Sequence, residues 1–179
     1  MTTSVQLDRI KKRFDSWDVN GDGRIDRSDC EAESKRILQA LGEAPGSPRG
    51  RALIDAYLGM WYFFADKAGI DKGNGQLTPE QFNDIVKEHV LENGGADFGK
   101  VIKPTIQAMI KLADVDDDDQ ISPTEFKTWL DAMGVENIDS ADAFRQMHAN
   151  GDDQLSADEL VQAVHAYHMG EIDVPLLGH

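Results

Sequence analysis

The chain has 179 residues, of which 40% are hydrophobic, and a formal net charge of -15 at pH 7. It can fold as one compact domain or two closely packed halves, and its acidity argues against nucleic-acid binding and anionic membrane surfaces. The single cysteine, Cys30, excludes an intramolecular disulfide and fits a reducing compartment. The sequence shows no signal peptide and no membrane-spanning run, so we expect a cytoplasmic, soluble monomer.

A four-residue pattern occurs four times, each time after one apolar segment and before another. The copies are Gly23-Arg24-Ile25-Asp26, Gly75-Gln76-Leu77-Thr78, Asp119-Gln120-Ile121-Ser122 and Asp153-Gln154-Leu155-Ser156. Each copy occupies the same place in a twelve-residue loop between two helices, which is the period of the calcium-binding EF-hand. The aliphatic third residue of each copy suits a short strand that pairs neighbouring loops. The sequence therefore predicts an all-α fold of four EF-hand units in two packed pairs, with minimal β pairing between loops.

Two halves follow from this repeat. Residues 1–92 form the predicted N-terminal pair, and residues 96–179 form the C-terminal pair with a tail that docks on the core. The stretch Glu92-Asn93-Gly94-Gly95 is the predicted hinge between them.

Loop one follows a helix whose apolar face carries Ile10, Phe14 and Trp17. Its predicted metal ligands, at loop positions 1, 3, 5, 7, 9 and 12, are Asp18, Asn20, Asp22, Arg24 through its carbonyl, Asp26 and Asp29. Gly23 permits the sharp turn at position 6. Position 12 holds aspartate instead of the usual glutamate, and the shorter side chain makes bidentate binding harder. We therefore expect a working site with reduced discrimination between Ca²⁺ and Mg²⁺.

Loop two, residues 70–81, has lost its ligands. Ile70 and Lys72 replace acidic residues, and Gln81 replaces the final glutamate. The segment Thr78-Pro79-Glu80-Gln81 still predicts a helix start, with threonine as the N-cap. We expect this loop to keep its shape and its partner without binding an ion.

Loop three, residues 114–125, offers a full ligand set. The predicted ligands are Asp114, Asp116, Asp118, Gln120 and Glu125, with Ser122 or a water at position 9. Position 6 is Asp119, where a left-handed backbone costs a non-glycine residue about 1–2 kcal/mol.

Loop four, residues 148–159, is the weaker candidate. Asn150, Asp152, Gln154 and Glu159 match ligand positions, and Ser156 stands at position 9. Position 1 is His148, however, and imidazole is a poor substitute for a carboxylate around a hard cation. Asp153 again replaces glycine at position 6.

The chain resembles bacterial EF-hand proteins of the sarcoplasmic calcium-binding protein family. The resemblance is carried by the run Lys11-Lys12-Arg13-Phe14-Asp15, by Asp29 at position 12, by the ligand-poor second loop ending in Leu77-Thr78-Pro79-Glu80-Gln81-Phe82, and by the tail Asp173-Val174-Pro175-Leu176-Leu177-Gly178. It implies two compact EF-hand pairs, calcium binding at loops one, three and four, and a buffering role. His148, Asp119 and Asp153 depart from the family pattern.

The sequence bears on three classes of function. The leading hypothesis is a cytosolic Ca²⁺ buffer or transporter, with Mg²⁺ as an additional ion, chiefly at loop one. The alternative is a Ca²⁺ sensor that exposes an apolar surface to a partner protein, although the methionines are scattered rather than gathered in a groove. An enzyme is disfavoured because no Cys/His or Ser/His constellation and no phosphate-binding loop is present.

Overall fold

The structure is a computed structural model that describes residues 3–92, 96–114, 116–135, 138–147 and 154–176. Within these ranges the chain forms eight α-helices and one π-helical segment. They are α1 (Ser4–Trp17), α2 (Arg27–Leu41), α3 (Pro48–Ala68), α4 (Pro79–Val86), which continues as the π-helix Lys87–Glu92, α5 (Ala96–Ala113), α6 (Pro123–Ala132), α7 (Ser140–Met147) and α8 (Ala157–Met169). The predicted all-α fold is confirmed. No helix among these has the length and apolar character of a membrane span.

Short antiparallel bridges pair the loops, as the aliphatic residue at position 8 predicts. Ile25 and Leu77 exchange two backbone hydrogen bonds of 3.0 and 2.7 Å, and Ile121 and Leu155 exchange two of 2.9 and 2.8 Å. All four side chains are fully buried. Loop one is thereby fixed to loop two, and loop three to loop four.

The four exit helices begin with the same capping arrangement. In each, the residue at loop position 9 caps the helix, and the residue at position 12 accepts a hydrogen bond from the backbone of that cap. The cap and acceptor pairs are Asp26 with Asp29, Thr78 with Gln81, Ser122 with Glu125, and Ser156 with Glu159. This reciprocal capping satisfies two otherwise unpaired backbone donors of each helix. It also fixes the position-12 side chain beside the loop.

An aromatic cluster joins the helices around the first two loops. The Phe64 and Phe82 rings stack at a centroid distance of 5.0 Å, and Trp17 meets Phe64 edge-on at 5.4 Å. Phe14 contacts Phe82 at 5.5 Å. These rings connect α1, α3 and α4, so the helix that enters loop one packs directly on the helix that leaves loop two.

The described part of the C-terminal tail, residues 171–176, packs against the helices. Val174 and Leu176 are buried, and Ile172 packs against the core. Leu177, the fourth aliphatic residue of the predicted tail, lies outside the described residues. The tail also contacts α1, where Arg9 donates to the carbonyl of Ile172 at 3.2 Å and pairs with Asp173.

Candidate metal centre

Three carboxylates of loop one converge at the end of α1. Oxygens of Asp18, Asp22 and Asp29 all lie within 4.8 Å of one another. Asp18 directly follows α1, and Asp29 lies in the first turn of α2. The two helices therefore bring the first and last ligand positions together across the loop, in the order that the EF-hand pattern predicts.

Backbone amides hold these carboxylates in place. One oxygen of Asp18 accepts from the Gly23 amide at 2.8 Å, and Asp22 accepts from the Arg24 amide at 2.9 Å. Asn20 accepts in turn from the Asp22 amide at 3.0 Å. The other oxygen of Asp18, Oδ1, is buried and has no hydrogen-bond partner among the described residues. A buried carboxylate oxygen without a donor is costly unless a cation pairs with it, so this atom fits a metal ligand.

The side chains of Asp29 and Asp26 accept backbone hydrogen bonds at the start of α2 and are also predicted metal ligands. Both oxygens of Asp29 accept backbone hydrogen bonds, from Asn20 at 3.3 Å and from Asp26 at 3.1 Å. Asp26 Oδ1 accepts from the Asp29 amide at 3.1 Å and from the Ser28 hydroxyl at 2.6 Å. The side chain of Asp26 thus caps α2, which leaves it better placed to bind an ion through water than directly.

Burial raises the pKa of Asp29 to about 6, despite the hydrogen bonds from Asp26 and Asn20 that lower it. The negative charges of Asp26 and Asp18 add to this rise. A cation placed among these groups favours the ionised form, so metal binding at loop one displaces protons when the pH is near or below 6.

Loop three gathers four carboxylates. Oxygens of Asp114, Asp116, Asp118 and Glu125 lie within 4.8 Å of one another. Asp114 accepts from the amides of Asp118 and Asp119, at 3.3 and 2.8 Å. Four acids at this separation repel one another without a cation, which makes the cluster a strong candidate for a divalent ion.

The acids of loop three titrate differently from one another. Burial works to raise the pKa of Asp114, but hydrogen bonds from the Asp119 amide, the Asp116 carboxyl and the Asp118 amide lower it overall. The hydrogen bond with Asp114 is the main cause that raises the pKa of Asp116 to about 6, with repulsion from Asp118 and Glu125 adding to it. Near and below pH 6 the metal-free loop thus holds a proton on Asp116, hydrogen-bonded to Asp114, that a cation would displace.

The backbone of loop three turns without glycine. Asp119 at position 6 has a φ of 60°, as the sequence predicts, and Asp117 has a φ of 61°, which the sequence did not reveal. The ammonium group of Lys111 pairs with the Asp119 carboxylate. Lys111 is a neighbour of the loop that the twelve-residue pattern missed, because it lies in the entering helix outside that motif.

The remaining predicted ligands are placed as follows. The Asn20 amide contacts Asp29, and the amides of Arg24 and Gln120 contact Asp22 and Asp118. In loop four, Glu159 accepts from the Ser156 amide at 3.0 Å, and Gln154 is half-buried beside the bridge at Leu155. His148, Asn150, Asp152 and Asp153 lie outside the described residues, so the prediction for loop four stays a prediction.

The chain is similar to known EF-hand and calcium-binding proteins. The EF-hand family model matches residues 10–29. Calerythrin from Saccharopolyspora erythraea is 39% identical over 178 residues, covering 99% of this chain and 100% of that protein. The beta chain of a sarcoplasmic calcium-binding protein from Penaeus is 27% identical over 112 residues, covering 62% of this chain and 58% of that protein.

Two solved structures share the fold. A calcium-binding protein from Streptomyces coelicolor, described as carrying out prokaryotic calcium-mediated regulation, has a TM-score of 0.72 and 27% identity. The match covers 92% of this chain and 98% of that chain. Calcium-loaded apo-aequorin from Aequorea victoria has a TM-score of 0.75 and 22% identity, covering 93% of this chain and 92% of that chain. The second likeness shows the fold alone.

Proposed function

Since this chain belongs to the calerythrin-like sarcoplasmic calcium-binding proteins of the EF-hand family, we propose that it acts as a cytosolic calcium buffer or transporter. The observation that carries the proposal is the pair of carboxylate clusters in loops one and three. Oxygen-only donor sets of this kind suit Ca²⁺, and the aspartate at position 12 of loop one also admits Mg²⁺. Loop four is proposed as a weaker site.

The proposed ligands are assigned loop by loop. In loop one they are Asp18, Asn20, Asp22, the Arg24 carbonyl, Asp26 and Asp29; in loop three they are Asp114, Asp116, Asp118, Gln120 and Glu125. The two halves, residues 1–92 and 96–179, would each hold one strong site. The net charge of -15 opposes association with polyanions, so no nucleic-acid partner is proposed. The same charge opposes self-association and so supports a monomer. No catalytic role is proposed, since the clustered carboxylates are accounted for by metal binding.

A closed apolar surface favours a buffer over a sensor. Among the described residues the exposed large hydrophobic side chains are Val5, Leu7 and Val19, which are 45%, 41% and 45% exposed. The tail residues Val174 and Leu176 are buried against the core. A sensor must present an apolar groove to its target when calcium binds. The docked tail covers part of the apolar core that such a groove would expose.

A sensor remains the second candidate for one specific reason. The Streptomyces coelicolor relative, at 27% identity, is described in terms of calcium-mediated regulation. A sensor of this kind would have to release its tail or separate its helices when calcium binds.

An environment-sensitive dye that fluoresces on apolar surfaces separates the two functions. A buffer should give the same dye signal with and without saturating calcium, whereas a sensor should give a calcium-dependent increase. A variant that ends at Glu171 serves as the positive control, because it lacks the buried residues Val174 and Leu176 and should bind the dye under both conditions. A calcium-dependent increase in the full chain would contradict the buffer.

A further inference from the structure

Loop two keeps the shape of a metal-binding loop although its ligands are gone, and an indole group helps to hold it. The Trp61 side chain is fully buried, and its Nε1–H donates to the backbone carbonyl of Lys72 at 2.7 Å. Lys72 stands at position 3, where an active loop is tied to the ion through a side-chain oxygen that lysine lacks. The hydrogen bond from Trp61 therefore fixes a part of the loop that a cation would otherwise fix.

A compact turn completes the arrangement. Asp71 accepts from the amides of Gly73 and Asn74, at 3.0 and 2.6 Å, and its carbonyl accepts from the Gly75 amide at 2.8 Å. A Cβ atom on Gly75 would lie 2.4 Å from the Asp71 carbonyl oxygen, so only glycine fits this position. The turn is held entirely by protein groups, and none of these bonds depends on a metal ion.

The ordered backbone of loop two is hydrogen-bonded directly to loop one. Leu77 exchanges two backbone hydrogen bonds with Ile25, which lies between the loop-one residues Arg24 and Asp26. A second connection runs through the ring of Tyr62, which neighbours Trp61 in α3. The guanidinium of Arg27 and the ammonium group of Lys72 lie 6.0 and 5.7 Å from the centre of that ring.

The indole is specific to the loop that lost its ligands. Trp61 stands nine residues before position 1 of loop two. The corresponding residues of loops one, three and four are Arg9, Thr105 and Asp139. Arg9 contacts the tail instead, and the Thr105 hydroxyl has no hydrogen-bond partner among the described residues. The contact from helix to loop thus compensates for a loss found in loop two.

We infer that Trp61 is a positioning residue for the calcium site of loop one. Its indole N–H takes over a structural task of the missing ion in loop two, and so keeps Leu77 paired with Ile25 whether or not calcium is present. The part of loop one that pairs with loop two is then already ordered before the ion binds, which reduces the conformational entropy that binding costs. The inference rests on the proposed function of loop one as a calcium site.

The test compares two buried tryptophans that make the same kind of bond. Trp61→Phe removes the bond to Lys72, and the matched control Trp129→Phe removes the bond of an equally buried indole to the Leu176 carbonyl at 2.8 Å. The Gly23 amide, which donates to Asp18, reports calcium binding at loop one in ¹⁵N NMR titrations run against a chelator of known affinity. Trp61→Phe should weaken loop one about three- to ten-fold, the range expected for one hydrogen bond, and Trp129→Phe should leave it within about two-fold.

Hydrogen exchange in the calcium-free protein provides a second readout. In Trp61→Phe the Leu77 amide should exchange faster than in the parent protein, while the Leu155 amide of the other bridge should keep its rate. If Trp61→Phe does not fold, Asp71→Ala takes its place, because Asp71 is exposed and its loss loosens the same turn. Asp66→Ala, which removes an exposed charge from α3 without touching the turn, is its control.

The outcomes separate this inference from the proposed function. If the Gly23 resonance of the parent protein does not change when calcium is added, both the inference about Trp61 and the proposed calcium site in loop one are overturned. A responsive Gly23 with equal calcium affinity in the parent, Trp61→Phe and Asp71→Ala would overturn the inference alone. Selective weakening of loop one in Trp61→Phe, without weakening in Trp129→Phe, supports it. Weakening in Asp71→Ala but not in Asp66→Ala supports the coupling from loop two to loop one that the inference requires.

Discussion

The indole N–H of Trp129 donates a buried hydrogen bond of 2.8 Å to the backbone carbonyl of Leu176. Trp129 lies on α6, the helix that leaves loop three, and Leu176 lies in the C-terminal tail. One hydrogen bond thus joins the C-terminal tail to the helix that carries Glu125. The tail is held at its other end by Arg9 on α1, so it spans helices attached to both strong candidate sites.

Trp129→Phe should destabilise the protein by about 1–2 kcal/mol, because it leaves the Leu176 carbonyl without its buried donor. For a chain of this length that corresponds to a fall in Tm of roughly 3–6 °C, measurable by calorimetry in calcium-saturated buffer. Lys127→Ala on the exposed face of the same helix is the control. An unchanged Tm in Trp129→Phe would mean that the tail does not depend on this bond.

Arg13→Met should strongly destabilise the folded protein, although Arg13 lies in α1 outside the metal-binding loops. Arg13 and Glu33 form a buried ion pair of 3.3 Å between α1 and α2, with side chains 8% and 1% exposed. Burial raises the pKa of Glu33, against the attraction of Arg13. Removing one partner of a buried pair typically costs about 3–5 kcal/mol, whereas replacing both with apolar residues can be nearly neutral.

Urea unfolding tests this account of the pair. Arg13→Met alone should lower the free energy of unfolding by several kcal/mol, and the double variant Arg13→Met, Glu33→Leu should recover most of that loss. Equal losses in the single and double variants would show that Arg13 acts mainly through packing.

His168 should make the protein less stable in mild acid. Burial lowers its pKa from 6.5 to about 4, aided by the positive charges of Arg13, His165 and Arg9 and opposed by a hydrogen bond to the Val164 carbonyl. The unfolded chain therefore takes up a proton first as the pH falls. The contribution of His168 to the free energy of unfolding is fully present above pH 6.5. It is lost progressively as the pH falls toward 4, by up to about 3 kcal/mol.

The matched variant for this effect is His168→Gln. The difference in unfolding free energy between the parent protein and the variant should change steadily between pH 6.5 and 4, and should be constant above pH 7. Measuring the difference at each pH removes the contribution of the loop acids, which titrate in both proteins. A pH-independent difference would contradict a neutral buried His168.

Asp29→Glu should raise the preference of loop one for Ca²⁺ over Mg²⁺. Both oxygens of Asp29 are engaged by backbone amides. A longer side chain can keep the capping bond and still reach the ion with two oxygens, which favours the larger cation. The check is a calcium titration in the presence and absence of Mg²⁺. If Mg²⁺ competed equally well against parent and variant, position 12 would not set the selectivity.

Local features of the fold were predictable because their determinants lie close together in the sequence. Thr78-Pro79 was expected to start a helix, and it does, with Thr78 as the N-cap. The positive φ of Asp119 followed from its position in the loop. The π-helix at Lys87–Glu92 has no such local signature.

The long-range contacts could not be predicted in the same way. The Arg13–Glu33 pair and the burial of His168 each require knowing which helices meet, and the loop pattern does not contain that information. Likewise, the pattern showed that loop two had lost its ligands but not that Trp61 would hold it. These contacts depend on packing between elements, whereas the ligand positions depend on spacing alone.

The most direct test of the central claim is a calorimetric calcium titration of the parent protein and of Glu125→Gln. This substitution keeps the shape of the loop-three clamp but removes its charge. The parent should bind two calcium ions tightly, at loops one and three, and Glu125→Gln should bind one. A parent with no tight site, or a variant that keeps every tight site of the parent, would contradict the account.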